Sequence, residues 1–137
     1  MALDLPPVEF SPWHAWERRD ELTCRNRPGV YLLAFDVGAG EAADDLDSRI
    51  VYIGQTDELA KRWREFQRAA LDGKSNHSGG RSFHSSVHCP VLELYVAAWA
   101  PDIESPLLRD VYILYVERKL ILEWVRRHEK LPLCNKK

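Results

Sequence analysis

Glu117 is the residue whose position most clearly suggests chemistry. The surrounding sequence predicts a helix, and the residues three and four positions away are all apolar: Ile113, Leu114, Leu120 and Ile121. A carboxylate within an apolar helical stripe is costly unless it is paired, protonated or bound to a cation. The position therefore predicts either a metal ligand, or an acid that pairs with an arginine or reaches water at the edge of the stripe.

Two tyrosines and one arginine are further candidates for a site. Tyr31 and Tyr52 lie near the middle of two predicted strands, where tyrosine is also favoured simply for packing. Arg62 lies one helical turn from Leu59 and Phe66, at the rim of a predicted buried face. Its planar guanidinium suits a phosphate, and a surface arginine with a buried stem is the alternative. The residue types indicate a phosphate site without requiring one.

Other familiar sites are not supported by the sequence. Residues 73–75 end like a phosphate-binding P-loop, but Arg68 stands where that motif needs its first glycine. No sequence typical of a nucleophile elbow occurs, which argues against a serine hydrolase. His84, His88 and Cys89 are residue types that bind zinc, but no second pair of cysteines supplies a tetrahedral set.

Two strands are the first elements expected to position the candidates. Residues 30–35 and 49–54 are runs of β-branched, aromatic and apolar residues, which predict strands. The Gly-, Ala- and Asp-rich segment between them is longer than the roughly 2–5 residues of a tight hairpin loop. We therefore expect a hairpin with an extended, mobile tip.

The next segment, residues 56–73, predicts a helix. Thr56 or Asp57 is suited to cap its N-terminus, and Gly73 is suited to close its C-terminus. The predicted buried face repeats at helical spacing and consists of Leu59, Trp63, Phe66 and Ala70.

Three further segments complete the predicted order of elements. Residues 74–86 are rich in Gly and Ser and predict a loop, and residues 91–99 predict a third strand. Ser105 followed by Pro106 is a good helix start, and the apolar periodicity then continues to about His128. The predicted fold is α+β, with a small three-stranded antiparallel sheet flanked by helices in the order β-β-α-β-α.

Length and composition are those of one soluble globular domain. The chain has 137 residues, of which 45% are hydrophobic and 29% charged. We expect residues 1–27 to be an extension that packs on a domain formed by residues 28–137. There is no apolar run of about 18 residues and no signal pattern, so a cytoplasmic protein without a membrane partner is expected.

Charge distribution leaves a nucleic-acid partner open. The net charge is −2, but residues 36–47 contain five acids and no Lys or Arg. Basic residues cluster instead at residues 61–68 and 118–130. Solvated helix faces explain most of these charges, and a phosphate-binding face is compatible with them.

Taken together, these residues resemble a known family. Residues 29–31 (GVY) and 52–54 (YIG) resemble the paired tripeptides of the GIY-YIG nucleases. Arg62 stands eight positions after the second tripeptide, as in the family, and Glu117 matches a later helical glutamate. Asn135 matches an asparagine that follows that helix. The resemblance covers most of the chain, from about residue 28 to residue 135.

The resemblance implies a divalent-metal-dependent endonuclease that cuts DNA by in-line attack of water on phosphorus. Glu117 would hold the Mg²⁺ or Mn²⁺ ion, and Arg62 would offset charge on the transition-state oxygens. Tyr31 would take the proton of the attacking water, and Tyr52 would orient the site. Asn135 would brace the site.

The resemblance also implies some further contacts and leaves some questions open. Some members have a histidine after the first helix, which His77 resembles, and it would be an auxiliary acid/base. Where other members have His or Tyr one turn after the arginine, this chain has Phe66, so that contribution is missing or comes from His77. Gly54 and Arg81 would join Arg62 in contacting phosphate. A homodimer or a separate specificity partner would then help to select the substrate. The alternative function is a nucleic-acid-binding module with weak or no catalysis.

Overall fold

Four antiparallel strands organise the fold. The structure is a computed structural model, and it describes residues 5–87 and 89–136. The strands are β1 (His14–Ala15), β2 (Gly29–Ala34), β3 (Ile50–Thr56) and β4 (Tyr95–Trp99). Their spatial order is β1-β4-β2-β3, so β1 and β3 form the two edges.

The prediction of a three-stranded sheet is wrong, because the segment before residue 28 adds a strand. In β1, His14 pairs with Val96 and Ala15 pairs with Tyr95 of β4. A strand of two residues has no visible periodicity, so its pairing is decided by contacts distant in sequence. The α+β class is confirmed, and the predicted β-β-α-β-α order becomes β-β-β-α-α-β-α.

The predicted hairpin is confirmed by the pairing of β2 with β3. Tyr31 lies opposite Gly54, and Leu33 lies opposite Tyr52. The long connection between these strands is hydrogen-bonded to the N-terminal segment. The Trp13 N–H donates to the Glu41 carbonyl at 2.9 Å, and the Gly40 N–H donates to the Trp13 carbonyl at 2.8 Å. The connection is thus anchored to the rest of the fold.

Helix α1 (Leu59–Asp72) packs on one face of the sheet. Its predicted buried residues are all buried, and Gly73 closes the helix in the left-handed conformation with φ of 71°. The predicted N-caps are wrong, because Glu58 occupies the capping position without a side-chain hydrogen bond. Thr56 is the last residue of β3, and its hydroxyl accepts a hydrogen bond from the Glu58 N–H at 3.1 Å.

Helix α2 (Ser78–Ser86) occupies most of the segment that was predicted to be a loop. Gly79 and Gly80 disfavour a helix intrinsically, but they let α2 approach its neighbours closely. An added Cβ at Gly79 would overlap the Tyr52 ring, and one at Gly80 would overlap the Phe66 carbonyl. Phe83 is buried in the core. Tertiary packing therefore overrides the weak local propensity.

Helix α3 (Pro106–His128) covers the opposite face of the sheet, and its predicted limits are confirmed. The Ser105 hydroxyl accepts a hydrogen bond from the Leu108 N–H at 3.2 Å, as expected of an N-cap. The predicted strand 91–99 is shorter than expected, because Val91–Glu93 forms a 3₁₀ turn before β4. Both Val91 and Leu94 are buried, a spacing of three that suits such a turn.

The N-terminal segment contributes to the same core as the sheet and helices. Trp16 is completely buried, packs near Phe66 and donates its indole N–H to the Gln67 side chain at 2.7 Å. Residues 1–4, 88 and 137 lie outside the described part of the chain, and these include His88, one of the candidate zinc ligands. In the part of the chain that the structure describes, no helix has the length and apolar character needed to cross a membrane.

Candidate active site

The two tyrosines come together over a glycine. Because side chains alternate along a strand, Tyr52 and Gly54 lie on the same face of β3, and the register places Tyr31 opposite Gly54. The two ring centroids are 5.8 Å apart. A Cβ added at Gly54 would lie 2.5 Å from Cε2 of Tyr52 and 2.8 Å from Cζ of Tyr31. Position 54 therefore accommodates both rings only because it has no side chain.

His77 connects Tyr31 to the start of α2. Its Nδ1 accepts a hydrogen bond from the Gly80 N–H at 3.1 Å, and its Nε2 lies 3.0 Å from the Tyr31 hydroxyl oxygen. Since Nδ1 is an acceptor, the proton of the neutral ring is on Nε2, which donates to Tyr31. Tyr31 is 0% exposed and His77 is 1% exposed. The pair is a buried hydrogen-bonded unit that joins the sheet to α2.

Burial determines the protonation of this cluster. Burial raises the pKa of Tyr31 well above its usual value, and the neighbouring Tyr52 adds to the increase. Burial also raises the pKa of Tyr52, and the charge of Arg62 opposes that change. The pKa of His77 is lowered to about 3, first by burial and then by the charge of Arg62. At neutral pH both tyrosines are protonated and the imidazole is neutral.

Arg62 is held at the edge of the tyrosine cluster. Its Nη1 donates to the Asn76 carbonyl at 3.2 Å and to the Glu65 carboxylate at 3.3 Å. It also lines an open cavity of about 340 Å³, whose other lining residues are Gln55, Thr56, Asp57, Lys61 and Glu65. The guanidinium thus borders an open space and is oriented by a backbone carbonyl and by the Glu65 carboxylate.

Glu117 lies at the border between the buried and exposed faces of α3. Ile113 and Leu120 are buried, as predicted, but Leu114 is 47% exposed, so the apolar stripe does not surround the carboxylate. The Glu117 side chain is 13% exposed and lies 3.6 Å from Nε of Arg118, which is itself 77% exposed. Burial raises the pKa of Glu117. The acid therefore has one weak, solvated partner.

The charges of Arg62 and Glu117 both act on the tyrosines. The positive charge of Arg62 lowers the pKa values of Tyr31 and Tyr52, and the negative charge of Glu117 raises them. These side chains, which come from two strands and two helices, are therefore electrostatically coupled. Hydrogen bonds and ring contacts join Tyr31, Tyr52 and His77, whereas Arg62 and Glu117 are linked to the tyrosines here through their charges.

The ligands available at this site limit which metal ion could bind, because Glu117 is the candidate carboxylate. Across residues 5–87 and 89–136, no three side chains of His, Cys, Asp or Glu converge to hold an ion. Mg²⁺ commonly keeps several waters and uses one or two protein carboxylates with substrate phosphates. A poorly paired, partly buried carboxylate such as Glu117 fits that mode of binding, whereas a site made entirely of protein ligands does not fit.

The side chain of Asn135 forms hydrogen bonds with the backbone of β3. Its Nδ2 donates to the Ile53 carbonyl and its Oδ1 accepts from the Ile53 N–H, both at 2.9 Å. The Cys134 N–H donates to the Val51 carbonyl at 2.8 Å. The C-terminal tail thus pairs with the free edge of β3 next to Gly54. This geometry suits a residue that positions the strand.

Arg81 lies near the cluster without reaching Tyr31. Its Nη1 donates to the Ser75 carbonyl at 2.9 Å, and its charge contributes to lowering the pKa of His77. Arg81 is therefore held against the segment that leads into α2, as Arg62 is held against Asn76.

The imidazole reaches Tyr31 from the start of α2 rather than from α1. Phe66 occupies the position one turn after Arg62, and the His77 ring packs edge-on against it at 5.2 Å. The histidine thus arrives from the start of α2. The visible signal was the adjacent pair Gly79 and Gly80, whose lack of side chains permits the close approach.

Comparison of the chain with protein-family models, with curated proteins and with solved structures gave no match.

Proposed function

We propose that this protein is a divalent-metal-dependent endonuclease that hydrolyses phosphodiester bonds in DNA. The observation that carries this proposal is the convergence of Tyr31, Tyr52 and His77 in one cluster that is coupled to the charges of Arg62 and Glu117. The order of these residues in the sequence also resembles that of the GIY-YIG nucleases.

Arg62 and Glu117 have complementary roles in this proposal. Arg62 borders the open cavity, where its guanidinium binds non-bridging phosphate oxygens and offsets the charge that develops during attack. Glu117 would hold Mg²⁺ or Mn²⁺, which neutralises phosphate charge and makes bound water more acidic. Arg118 is too exposed to compete strongly for this carboxylate.

The tyrosines differ in their access to a substrate. Tyr31 is fully buried and its oxygen already accepts a hydrogen bond from His77, so it is poorly placed to take a proton from water. Tyr52 is only partly buried, and Arg62 is the strongest influence that lowers its pKa. We therefore assign Tyr52 to contact the attacking water, with Tyr31 and His77 fixing its position from behind.

A nucleic-acid-binding module without catalysis is the second candidate. The observation that favours it is the burial of Tyr31 and His77, since two site residues are closed to solvent. In this alternative the same Arg62 cavity binds a phosphate, and the tyrosine cluster only stabilises the fold. The nuclease requires Glu117 and a divalent ion for cleavage, whereas the binding module requires neither.

A cleavage assay separates the two candidates. Plasmid, duplex, flap and branched DNA, with RNA counterparts, are incubated with Mg²⁺ or Mn²⁺ and with EDTA. We expect metal-dependent cleavage, reduced at least about 10²-fold in Glu117→Gln and in Arg62→Ala. The matched control is Glu123→Gln, a partly buried glutamate on the same helix.

Two results would count against the nuclease. Cleavage that is equal in wild type and Glu117→Gln would refute the assigned metal ligand. DNA binding without cleavage of any substrate, unchanged by divalent ions, would favour the binding module.

A further inference from the structure

A second cleft lies between the N-terminal segment and α1, apart from the tyrosine cluster. It has a volume of about 260 Å³, and its lining includes Arg19, Arg25, Arg64 and Trp63. Arg64 follows Arg62 by two residues, so the two side chains leave the helix roughly 200° apart. The cleft and the Arg62 cavity are therefore on different flanks of α1.

Among the described residues, salt bridges do not hold the three arginines of this cleft. None of them forms a salt bridge with another described residue. Arg19 instead donates to the Trp16 carbonyl at 2.8 Å and lies 4.5 Å over the Trp16 ring. Arg25 donates to the Leu22 carbonyl at 3.3 Å. Two guanidinium groups are thus oriented by neutral groups, and their remaining N–H donors are available to a ligand.

The cleft is lined by more positive than negative side chains. Burial lowers the pKa of Arg19, Asp20 opposes this, and the positive charge of Arg64 lowers it further. Glu17 and Asp20 also line the cleft, but both are exposed. Three arginines and two carboxylates leave one net positive charge, which matches the single negative charge of a phosphodiester.

We propose that this cleft binds a backbone phosphate of nucleic acid at a distance from the catalytic cluster. The planar fork of arginine suits phosphate oxygens, and side chains from the N-terminal segment and α1 converge on the same space. The N-terminal segment then contributes to substrate binding as well as to the core. The choice of nucleic acid as the source of the phosphate rests on the proposed function.

The test is a binding measurement that involves no cleavage. A short labelled DNA duplex is titrated in EDTA with wild type, with the double variant Arg25→Gln/Arg64→Gln, and with Asp20→Asn. We expect the double variant to bind about tenfold more weakly, with a salt slope smaller by about 1. Asp20→Asn should bind more tightly, because it removes a competing negative charge.

The control variant also removes two positive charges, but at side chains that do not line the cleft. Arg18→Gln/Arg109→Gln removes two arginines that are paired with Glu21 and Asp110, and it should bind DNA like wild type. Equal affinity of the cleft variant and this control would overturn the proposal. Because cleavage is not measured, failure here is distinct from a Glu117→Gln result that refutes the nuclease.

The source of the phosphate is tested separately. Trp63 lines the cleft, so its indole N–H resonance, assigned with Trp63→Phe, should shift when the DNA duplex is added. Inorganic phosphate is titrated in parallel, against chloride at equal ionic strength. The proposal would be overturned if the resonance shifted with inorganic phosphate alone and Arg25→Gln/Arg64→Gln bound DNA normally. The ligand of the cleft would then be free phosphate and not a phosphate of the nucleic-acid backbone.

Discussion

Lowering the pH from 7 to 5 should destabilise the protein through His77. The imidazole is 1% exposed and accepts a hydrogen bond from the Gly80 N–H. A proton on Nδ1 would remove that acceptor and place a charge beside Arg62 and Arg81. Burial and these charges accordingly lower the pKa of His77 from 6.5 to about 3.

The magnitude follows from linkage between protonation and folding. Between pH 3 and 6.5 the unfolded chain binds a proton at His77 and the folded protein does not, so stability rises with pH over this window. One pKa unit corresponds to about 1.36 kcal/mol. At pH 5, about 1.5 units below the unfolded pKa, His77 alone should reduce the free energy of unfolding by about 2 kcal/mol.

The assay is urea unfolding at pH 7, 6 and 5, followed by tryptophan fluorescence, for wild type and for His77→Asn. Asparagine is a good N-cap and retains an acceptor for the Gly80 N–H, but it has no group that titrates in this range. Other titratable residues contribute equally to the pH dependence of unfolding in both proteins, so their contributions cancel when wild type and His77→Asn are compared. If both proteins lose the same stability between pH 7 and 5, the neutral buried imidazole is refuted.

Two substitutions test the architecture around the cluster. Gly54→Ala should cost about 1–3 kcal/mol, because the new methyl group overlaps the rings of Tyr31 and Tyr52; unchanged urea stability would contradict this packing. Asn135→Ala should cost about 1–3 kcal/mol through loss of two hydrogen bonds. It should also speed hydrogen exchange at the Ile53 amide, whereas equal protection in both proteins would show that the tail does not hold β3.

The sequence predicted those elements whose signals are local. The apolar spacing of residues 59–70 predicted the buried face of α1, and Gly73 predicted its end. Ser105 and Pro106 predicted the start of α3. Each of these signals depends on neighbours within a few residues, where helix geometry and capping chemistry operate without help from the rest of the chain.

Part of the candidate site could also be read from the sequence. The types and order of the tyrosines, Arg62 and Glu117 identified them as candidates, and strand alternation is enough to put Tyr52 and Gly54 on one face. The environment of Glu117 was only partly predictable, because helical spacing does not say which apolar neighbours are covered. Leu114 is exposed although its residue type suggested a buried stripe.

Contacts between distant segments were decided only by the tertiary structure. Helix α2 forms against its weak glycine-rich propensity because its glycines fit closely against Tyr52 and Phe66. The same packing brings His77 to Tyr31, 46 residues away in sequence. Residue types and spacing thus determined the chemical groups and the main helices, whereas hydrogen bonds and burial, which depend on all neighbours at once, decided their protonation and access to solvent.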